Sequence, residues 1–583
     1  MATWELSPLQ RHASSVVLPD SRRLASVHKD RVVLRDLETL KVLRTWTLQL
    51  PTARPAAQAD SSSSSLNLAV SPSAPFHLLV SSPRHRVAFV FHPDQDGVHA
   101  RLDIGNEGAV AVDWARLGPD GDQVVLCWSA HHLRLSLFRL SDPSNALQIL
   151  NPKHSHPHGY TFRPDGAFLA VLERHNSRDV IGVYSTSAWS LMRTIPLQEP
   201  NSDLADLTWS PCGRYLAAWS ALTEYTLHVL TPDGRLLSTF SPYAAVTPPA
   251  PTSSTSSRAA LRKPSAPAPP PAPELSAHDR ARQERSTAPF VGLGIRCVRW
   301  APDGEWLAVG GWDGKVRILS RHGWAAIAEL GLPSRVLDPV RVWREPVGWT
   351  GKTRSNGIIT FEPDSLPQSL TPLAPNFAAA VPRMGVAKLE WSPSGRWIAV
   401  WDAAHPHLVA IYAFPLSSAL APSASTRPRL HTLLAHAAPP SSTTSSTSAA
   451  SGVRALAWQP PVVRDDEDED ETLVVLAGEK KGFTLWRSTA DGSGVAECVG
   501  IPARADITFP VSSLSFAADG RSLLLSAPPA PTSAGGTAGE GTFCVAYPVW
   551  SDDVLLEDDG AGERTCGSQD GDGEGLERGD GGA

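Results

Sequence analysis

At 583 residues the chain is far above the size at which a core is hard to build, and length alone suggests three or four domains, a soft expectation for all-β folds. Its six cysteines, Cys127, Cys212, Cys297, Cys498, Cys544 and Cys566, form no C-x-x-C pair, which argues against a zinc ribbon or a disulfide framework and for a reducing compartment. The net charge of −7 is uneven: seven consecutive acids fill 465–471 and the segment 552–583 carries −9, so the remaining body is basic by +9.

In the plain reading both acidic stretches are solvated and aid solubility. In the sharper one they compete with an acidic partner, such as a tubulin surface or nucleic acid, for the basic body. The chain opens on Met-Ala-Thr-Trp-Glu-Leu, without the basic-then-apolar order of a signal peptide. No apolar run approaches the roughly 18 residues of a membrane helix, so the expectation is a cytosolic or nuclear protein with no membrane anchor.

One phrase returns along the chain: a bulky residue, then Pro, then Asp or Ser, Gly and an apolar run. In chain order its copies begin at Leu18, near Val70 (badly worn), and at Trp114, Phe162, Trp209, Trp300, Trp391, Trp458 and Phe516. The clearest are Phe162-Arg163-Pro164-Asp165-Gly166, Trp209-Ser210-Pro211-Cys212-Gly213, Trp300-Ala301-Pro302-Asp303-Gly304 and Trp391-Ser392-Pro393-Ser394-Gly395. Proline presets φ near −65° at the first central turn position, and glycine supplies positive φ where the chain reverses. Apolar, β-prone residues on either side predict a hairpin of buried strands. A further strand follows most copies, as at Val32-Val33-Leu34, Leu135-Ser136-Leu137-Phe138, Val180-Ile181-Gly182-Val183-Tyr184 and Val316-Arg317-Ile318-Leu319. In the last, Val316 and Ile318 should point one way and Arg317 the other.

The copies at Trp114, Phe162 and Trp209 are spaced by 48 and 47 residues, close to the period of a four-stranded propeller blade. A blade exposes apolar faces that only neighbouring blades can cover, so blades close into rings. A β-sandwich does not repeat at this period. The fold class is therefore an all-β propeller with about nine blade signals, in one large ring or two, and its repeats resemble divergent WD40 repeats. Trp312-Asp313-Gly314-Lys315-Val316 matches the tight turn before a WD repeat's third strand. The Gly-His that usually precedes the repeat is missing, so packing should replace the usual side-chain hydrogen-bond network. The long interval between Trp300 and Trp391 has room for a further worn blade around Val340-Arg341-Val342-Trp343.

Composition divides the chain into propeller blades over 1–243, a Pro/Ser/Ala-rich insertion over 244–289, blades over 290–550 and an acidic, Gly-rich tail over 551–583. The insertion cannot bury enough apolar surface to fold, and its proline core should be extended. Similar breaks are read at 51–65, 417–451, the acidic run near 463–472, and 528–541. Most are expanded loops; the alternative is a proline-rich ligand or a phosphorylated switch, with Thr247-Pro248 the most accessible Ser/Thr-Pro site.

No phosphate loop, nucleophile elbow or H-E-x-x-H motif occurs. Gly292-Leu293-Gly294 lacks the third glycine of a dinucleotide loop and precedes a propeller strand. His154, His156 and His158 could share a strand face and bind a metal, but Pro152 and Pro157 argue for a loop; His405-Pro406-His407 is weaker still. No catalytic residue, cofactor or metal site is assigned. The tryptophans of the phrase read as core, whereas some of Trp306, Trp312, Trp397 and Trp401 could reach a ring face, where aromatic residues anchor partners.

Two stretches narrow the family. One, over 159–243, contains Phe162-Arg163-Pro164-Asp165-Gly166, Leu172-Glu173-Arg174, Glu224-Tyr225 and Asp233-Gly234-Arg235-Leu236-Leu237-Ser238. The other contains Gly310-Gly311-Trp312-Asp313-Gly314-Lys315-Val316-Arg317-Ile318-Leu319 and Asp338-Pro339-Val340-Arg341-Val342-Trp343. In this order, and with Leu24-Ala25-Ser26 and Val32-Val33-Leu34-Arg35-Asp36, the chain resembles a divergent, fungal-like member of the WD repeat-containing protein eight family of spindle-pole and centrosomal proteins. The resemblance covers most of the chain outside the insertions.

It implies a non-catalytic scaffold at the spindle pole body or centrosome. There it would anchor microtubule minus ends with a coiled-coil protein of the synovial-sarcoma-breakpoint-interacting type, with a minus-end-directed kinesin and tubulin as further partners and neither membrane nor nucleic acid among them. The partner-binding residues are placed at Trp219, Glu224 and Tyr225, because Glu224-Tyr225 is family-like yet lies outside the turn and core phrase. A second class, a propeller bound to RNA or the ribosome, is permitted by the basic body but has no aromatic-basic motif behind it.

Overall fold

The computed structural model describes residues 3–48 (apart from 13), 66–82, 86–117 (apart from 106), 122–197 (apart from 132), 203–243, 293–349, 358–414 (apart from 378 and 380), 427–437, 452–462, 470–478, 482–489, 492–501, 509, 511–527 and 541–549. Among them, the strands assemble into nine blades, each built from consecutive antiparallel strands. The blades' first strands are Ser14–Val17, Asn67–Val70, Ala109–Trp114, Tyr160–Phe162, Leu204–Trp209, Ile295–Trp300, Val386–Trp391, Val453–Trp458 and Ser513–Phe516. Every copy of the repeated phrase, including the worn one at Val70, begins at or directly after the end of a first strand. The reason is the turn: Gly213 and Gly304 adopt φ of 66° and 72°, the left-handed conformation that reverses the chain into the second strand.

The ring is single. First strands meet first strands at its centre, and each of the nine gaps between neighbouring blades holds its own apolar core. The last gap is the informative one. Leu24 and Leu37 of blade 1 pack with Leu524, Phe543 and Val545 of blade 9, so the end of the chain returns to its beginning. Blade 9 is completed by the N-terminus: Thr3–Leu6 pairs with Thr542–Val549, Trp4 opposite Pro548. Trp4 lies buried against Phe483 of blade 8.

A blade packed on both sides buries both faces. Val316–Ser320 is buried throughout. The predicted alternation holds, but Val316 and Ile318 enter the core shared with blade 7, while Leu319 and Arg317 turn toward blade 5. Arg317 is therefore an interior residue.

The segment around Val340-Arg341-Val342-Trp343 is not a blade. Arg341–Arg344 lies parallel to the outer strand of blade 7, Arg429–Ala435, with Val342 opposite Leu433. Farther along, Ile358–Thr360 adds to the outer strand of blade 8, Val495–Gly500. The long connector from blade 6 to blade 7 thus wraps two outer edges. Its Val336, Val342 and Leu370 fill the core between blades 6 and 7, and Trp349 and Phe361 the next. The break read over 417–451 likewise contains a strand, Arg429–Ala435: Leu433 and Leu434 are buried, although Ser- and Ala-rich sequence on both sides masks them. The insertion at 244–289, with Thr247-Pro248, most of the acidic run and the tail lie outside the described residues. No helix among the described residues is long and apolar enough to cross a membrane.

Up-and-down order gives the ring two unlike faces. The phrase turns, between first and second strands, lie on one. The turns between second and third strands, together with the connectors between blades, lie on the other.

Candidate partner-binding face

The residues singled out for binding fall on the connector face at the junction of blades 5 and 6. The structure brings them together but covers two of them: Trp219 and Tyr225 are only 5% and 2% exposed and belong to the core between these blades. Glu224 is half-buried, and the neighbouring Leu222 and Thr223 are exposed. The turn is fixed from blade 6, where the Gly294 amide donates to the Leu222 carbonyl (2.8 Å) and the Trp312 amide to the Gly294 carbonyl (3.0 Å). A Cβ on Gly294 would stand 2.5 Å from the Ala221 carbonyl oxygen. This glycine therefore serves close packing, and no dinucleotide loop is formed.

Behind Tyr225 sits a buried polar network. Arg317 donates from Nη1 to the Tyr225 hydroxyl (2.8 Å) and from Nη2 to Asp313 Oδ2 (2.7 Å) and the Tyr243 hydroxyl (3.2 Å). Tyr243 in turn donates to Asp313 Oδ2 (2.8 Å). The guanidinium carbon lies 4.8 Å from the centre of the Tyr225 ring, a cation–π geometry. Burial pushes the Tyr225 phenol well above its ordinary range. Asp313 is the aspartate of the Trp-Asp-Gly turn. With no Gly-His histidine available, an arginine from the third strand and two tyrosines from blade 5 take its hydrogen bonds.

Connectors elsewhere on this face are held by charge. Lys153 contacts Asp179 (2.5 Å) and Asp203 (2.6 Å), and Arg174 contacts the same two carboxylates (2.7 and 2.6 Å). Burial alone would raise Asp179; Arg174 and Lys153 reverse this and hold its carboxyl low. Arg296 lies 4.5 Å over the Trp312 ring and donates to the Met384 carbonyl (2.6 Å). Trp312 is thus a half-buried aromatic of the ring face, whereas the phrase tryptophans Trp114, Trp209, Trp300, Trp391 and Trp458 are all core. Two of them staple neighbouring blades: Trp391 Nε1 donates to the Arg299 carbonyl and Trp458 Nε1 to the Glu390 carbonyl, both at 3.2 Å.

The three histidines also lie here, but they diverge. His154 Nε2 meets the Leu204 carbonyl (3.2 Å), His156 Nδ1 the Tyr160 hydroxyl (2.7 Å) and His158 Nδ1 Asp206 Oδ2 (2.8 Å). The hydrogen bond from Asp206 raises the His158 imidazole above its ordinary pKa. Among the described residues no group of three or more His, Cys, Asp or Glu side chains could hold a metal ion.

What the sequence did not reveal is an apolar display on the connector between blades 6 and 7. Val347 and Phe377 are 85% and 77% exposed, and Leu337, Leu373 and Val381 are also exposed. The Leu373 amide donates to the Ala404 carbonyl (2.8 Å), which seats this arm on the blade 7 turn. Single exposed apolar residues are ordinary, but five lie on this one connector.

One repeat-family match agrees with this architecture. The model of the WD domain, G-beta repeat, matches residues 289–320, which is blade 6. The WD repeat-containing protein WRAP73 of Mus musculus is 27% identical over 523 residues, 87% of this chain and 90% of that protein. An uncharacterized WD repeat-containing protein of Schizosaccharomyces pombe is 24% identical over 156 residues, 26% of this chain and 31% of that one. Among solved structures, the Dos1 propeller shares 10% identity at a TM-score of 0.34, over 67% of this chain and 75% of its own.

Proposed function

Since this chain is a WD40-repeat protein folded as a nine-bladed propeller, we propose that it is a non-catalytic scaffold of the spindle pole body or centrosome. In this reading it anchors microtubule minus ends in complex with a coiled-coil protein of the synovial-sarcoma-breakpoint-interacting type, with a minus-end-directed kinesin and tubulin as further partners. The observation that carries the reading is the match to the mouse WD repeat-containing protein, which runs through nearly the whole of both chains and so includes connectors as well as repeat phrases. Ordered, charge-pinned connectors with apolar side chains turned outward suit a surface that receives a helical partner. The corner formed by exposed Leu222 and half-buried Glu224 is the first place to test, since Trp219 and Tyr225 stand behind it.

The experiment is to tag the protein in dividing cells, image it beside a spindle-pole marker and identify what copurifies. Signal focused at the poles with a coiled-coil anchor in the pull-down is expected. Diffuse signal with ribosomal proteins, surviving moderate salt, would replace this reading with the RNA-associated one. Leu222→Asp with Glu224→Arg should then reduce anchor capture at least tenfold without altering the fold; unchanged capture removes this corner from the interface.

A further inference from the structure

The outer edges of the blades are not treated alike. Blades 7 and 8 have theirs covered by strands of the connector, Arg341–Arg344 and Ile358–Thr360. Blade 1 ends on Val42–Thr47, which among the described residues pairs only with Arg31–Asp36. Here Val42 and Leu43 are 52% and 53% exposed. An open, partly apolar edge is a template for another chain.

The end of the described chain lies beside this edge. The Tyr547 hydroxyl donates to the Leu37 carbonyl (2.6 Å), and Tyr547 packs with Leu37 and Leu40, in the turn that leads into Val42. Arg44 and Trp46 reach the other way, to Asp96 and to the Gln95 carbonyl of blade 2. Leu43 is an extra residue in the pairing, which sets Val42 opposite Arg35; Arg35 contacts His12 beside blade 9, so Val42 turns to the blade 9 side. Shortly beyond Val549 the sequence runs Asp552-Asp553-Val554-Leu555-Leu556-Glu557-Asp558-Asp559, three apolar residues between five acids. Leu556 is seven residues past Val549 and can reach about 24 Å, enough for the blade 1 edge and too little for the apolar edge of blade 4 across the ring. The charges match at Lys41, which is exposed beside Val42.

We propose that residues 552–559 dock on the outer edge of blade 1, with Val554, Leu555 and Leu556 covering Val42 and Leu43 and the flanking acids facing Lys41. The tail would then do for blade 1 what the connector does for blades 7 and 8, closing an edge against other chains. The inference is independent of the cellular role proposed above.

The test is hydrogen exchange on the full chain, comparing wild type, Leu555→Asp/Leu556→Asp and Leu43→Asp. Amides of 42–47 should exchange at least tenfold faster in the tail variant, and amides of 553–557 at least tenfold faster in Leu43→Asp. Protection in the wild type should not change on dilution. Equal exchange of 42–47 in wild type and tail variant, or tail amides exchanging at the unprotected rate in the wild type, would overturn the proposal. Loss of protection on dilution would overturn it too, by assigning the edge to a second copy's tail.

Discussion

Trp4→Ala tests whether the N-terminal strand closes the ring. Trp4 is buried, T-stacked on Phe483 at 5.4 Å, and belongs to the core between blades 8 and 9. Burying an indole removes on the order of 200 Å² from water, or about 5 kcal/mol at about 25 cal/mol/Å². Large-to-small changes at such sites cost about 3–5 kcal/mol. Thr3–Leu6 is a short strand held on one side only by Thr542–Val549, so the loss should appear first as local opening. At about 1.4 kcal/mol per factor of ten, amides of 3–6 and their partners in 542–549 should exchange roughly 100- to 5,000-fold faster, read by mass spectrometry. Trp4→Phe keeps the ring contact and deletes an indole N–H that has no acceptor among the described residues, so its effect should stay within about tenfold. If Trp4→Ala left exchange of 542–549 within threefold of wild type, the closure argument would be wrong.

Three further perturbations follow from the same packing. Asp313→Ala takes from the buried Arg317 one of its two carboxylate partners and leaves Glu329 at 3.2 Å, so it should cost about 1.5–3 kcal/mol in urea unfolding, whereas Arg317→Leu, which removes charge and partner requirement together, should cost less; the reverse order would refute the network's assignment. His12 and His77 are buried and pushed down to about 4, His12 by burial and then by Arg35 and His28, His77 chiefly by burial. Their folded pKa lies below the unfolded 6.5, so stability is complete above that value and is lost as pH falls toward 4. Between about pH 7.5 and 5 each should remove about 2 kcal/mol, and His77→Gln should flatten that slope. Glu345 is buried and accepts from Trp349 Nε1 and the Ala437 amide; Glu345→Ala should cost about 2–4 kcal/mol locally and speed proteolysis within the connector between blades 6 and 7, at unchanged cleavage in blades 3–5.

The blade count was legible because a turn is local chemistry. Pro-Asp-Gly and its variants report the end of a first strand whatever that strand later packs against, and even the worn copy at Val70 sits where a first strand ends. Edge strands carry no such mark. Arg341–Arg344 reads as strand-like in sequence, but whether it founds a blade or joins one depends on Arg429–Ala435, which lies far along the chain between two low-complexity stretches. Closure by Thr3–Leu6 was hidden for the same reason, since its partner lies more than five hundred residues away.

The residues proposed for the site stand out in the sequence, but their exposure does not. Glu224-Tyr225 stood out because it falls outside the repeat phrase, and the structure explains why it does: Tyr225 belongs to a network specific to the gap between blades 5 and 6, completed by Arg317 and Asp313. The alternation of Val316, Arg317 and Ile318 was legible, but not that both sides of this strand are interior. In a propeller both sides of a blade's inner strands meet a neighbour, so an arginine there must be paired, and Tyr225, which pairs it, is buried with it, while Tyr243 closes the network from the exposed side. A partner arriving at this corner would meet Leu222 and Glu224 first and would feel Tyr225 only through the turn that Tyr225 holds. Substituting Tyr225 should therefore change stability and binding together, while substituting Glu224 should change binding alone.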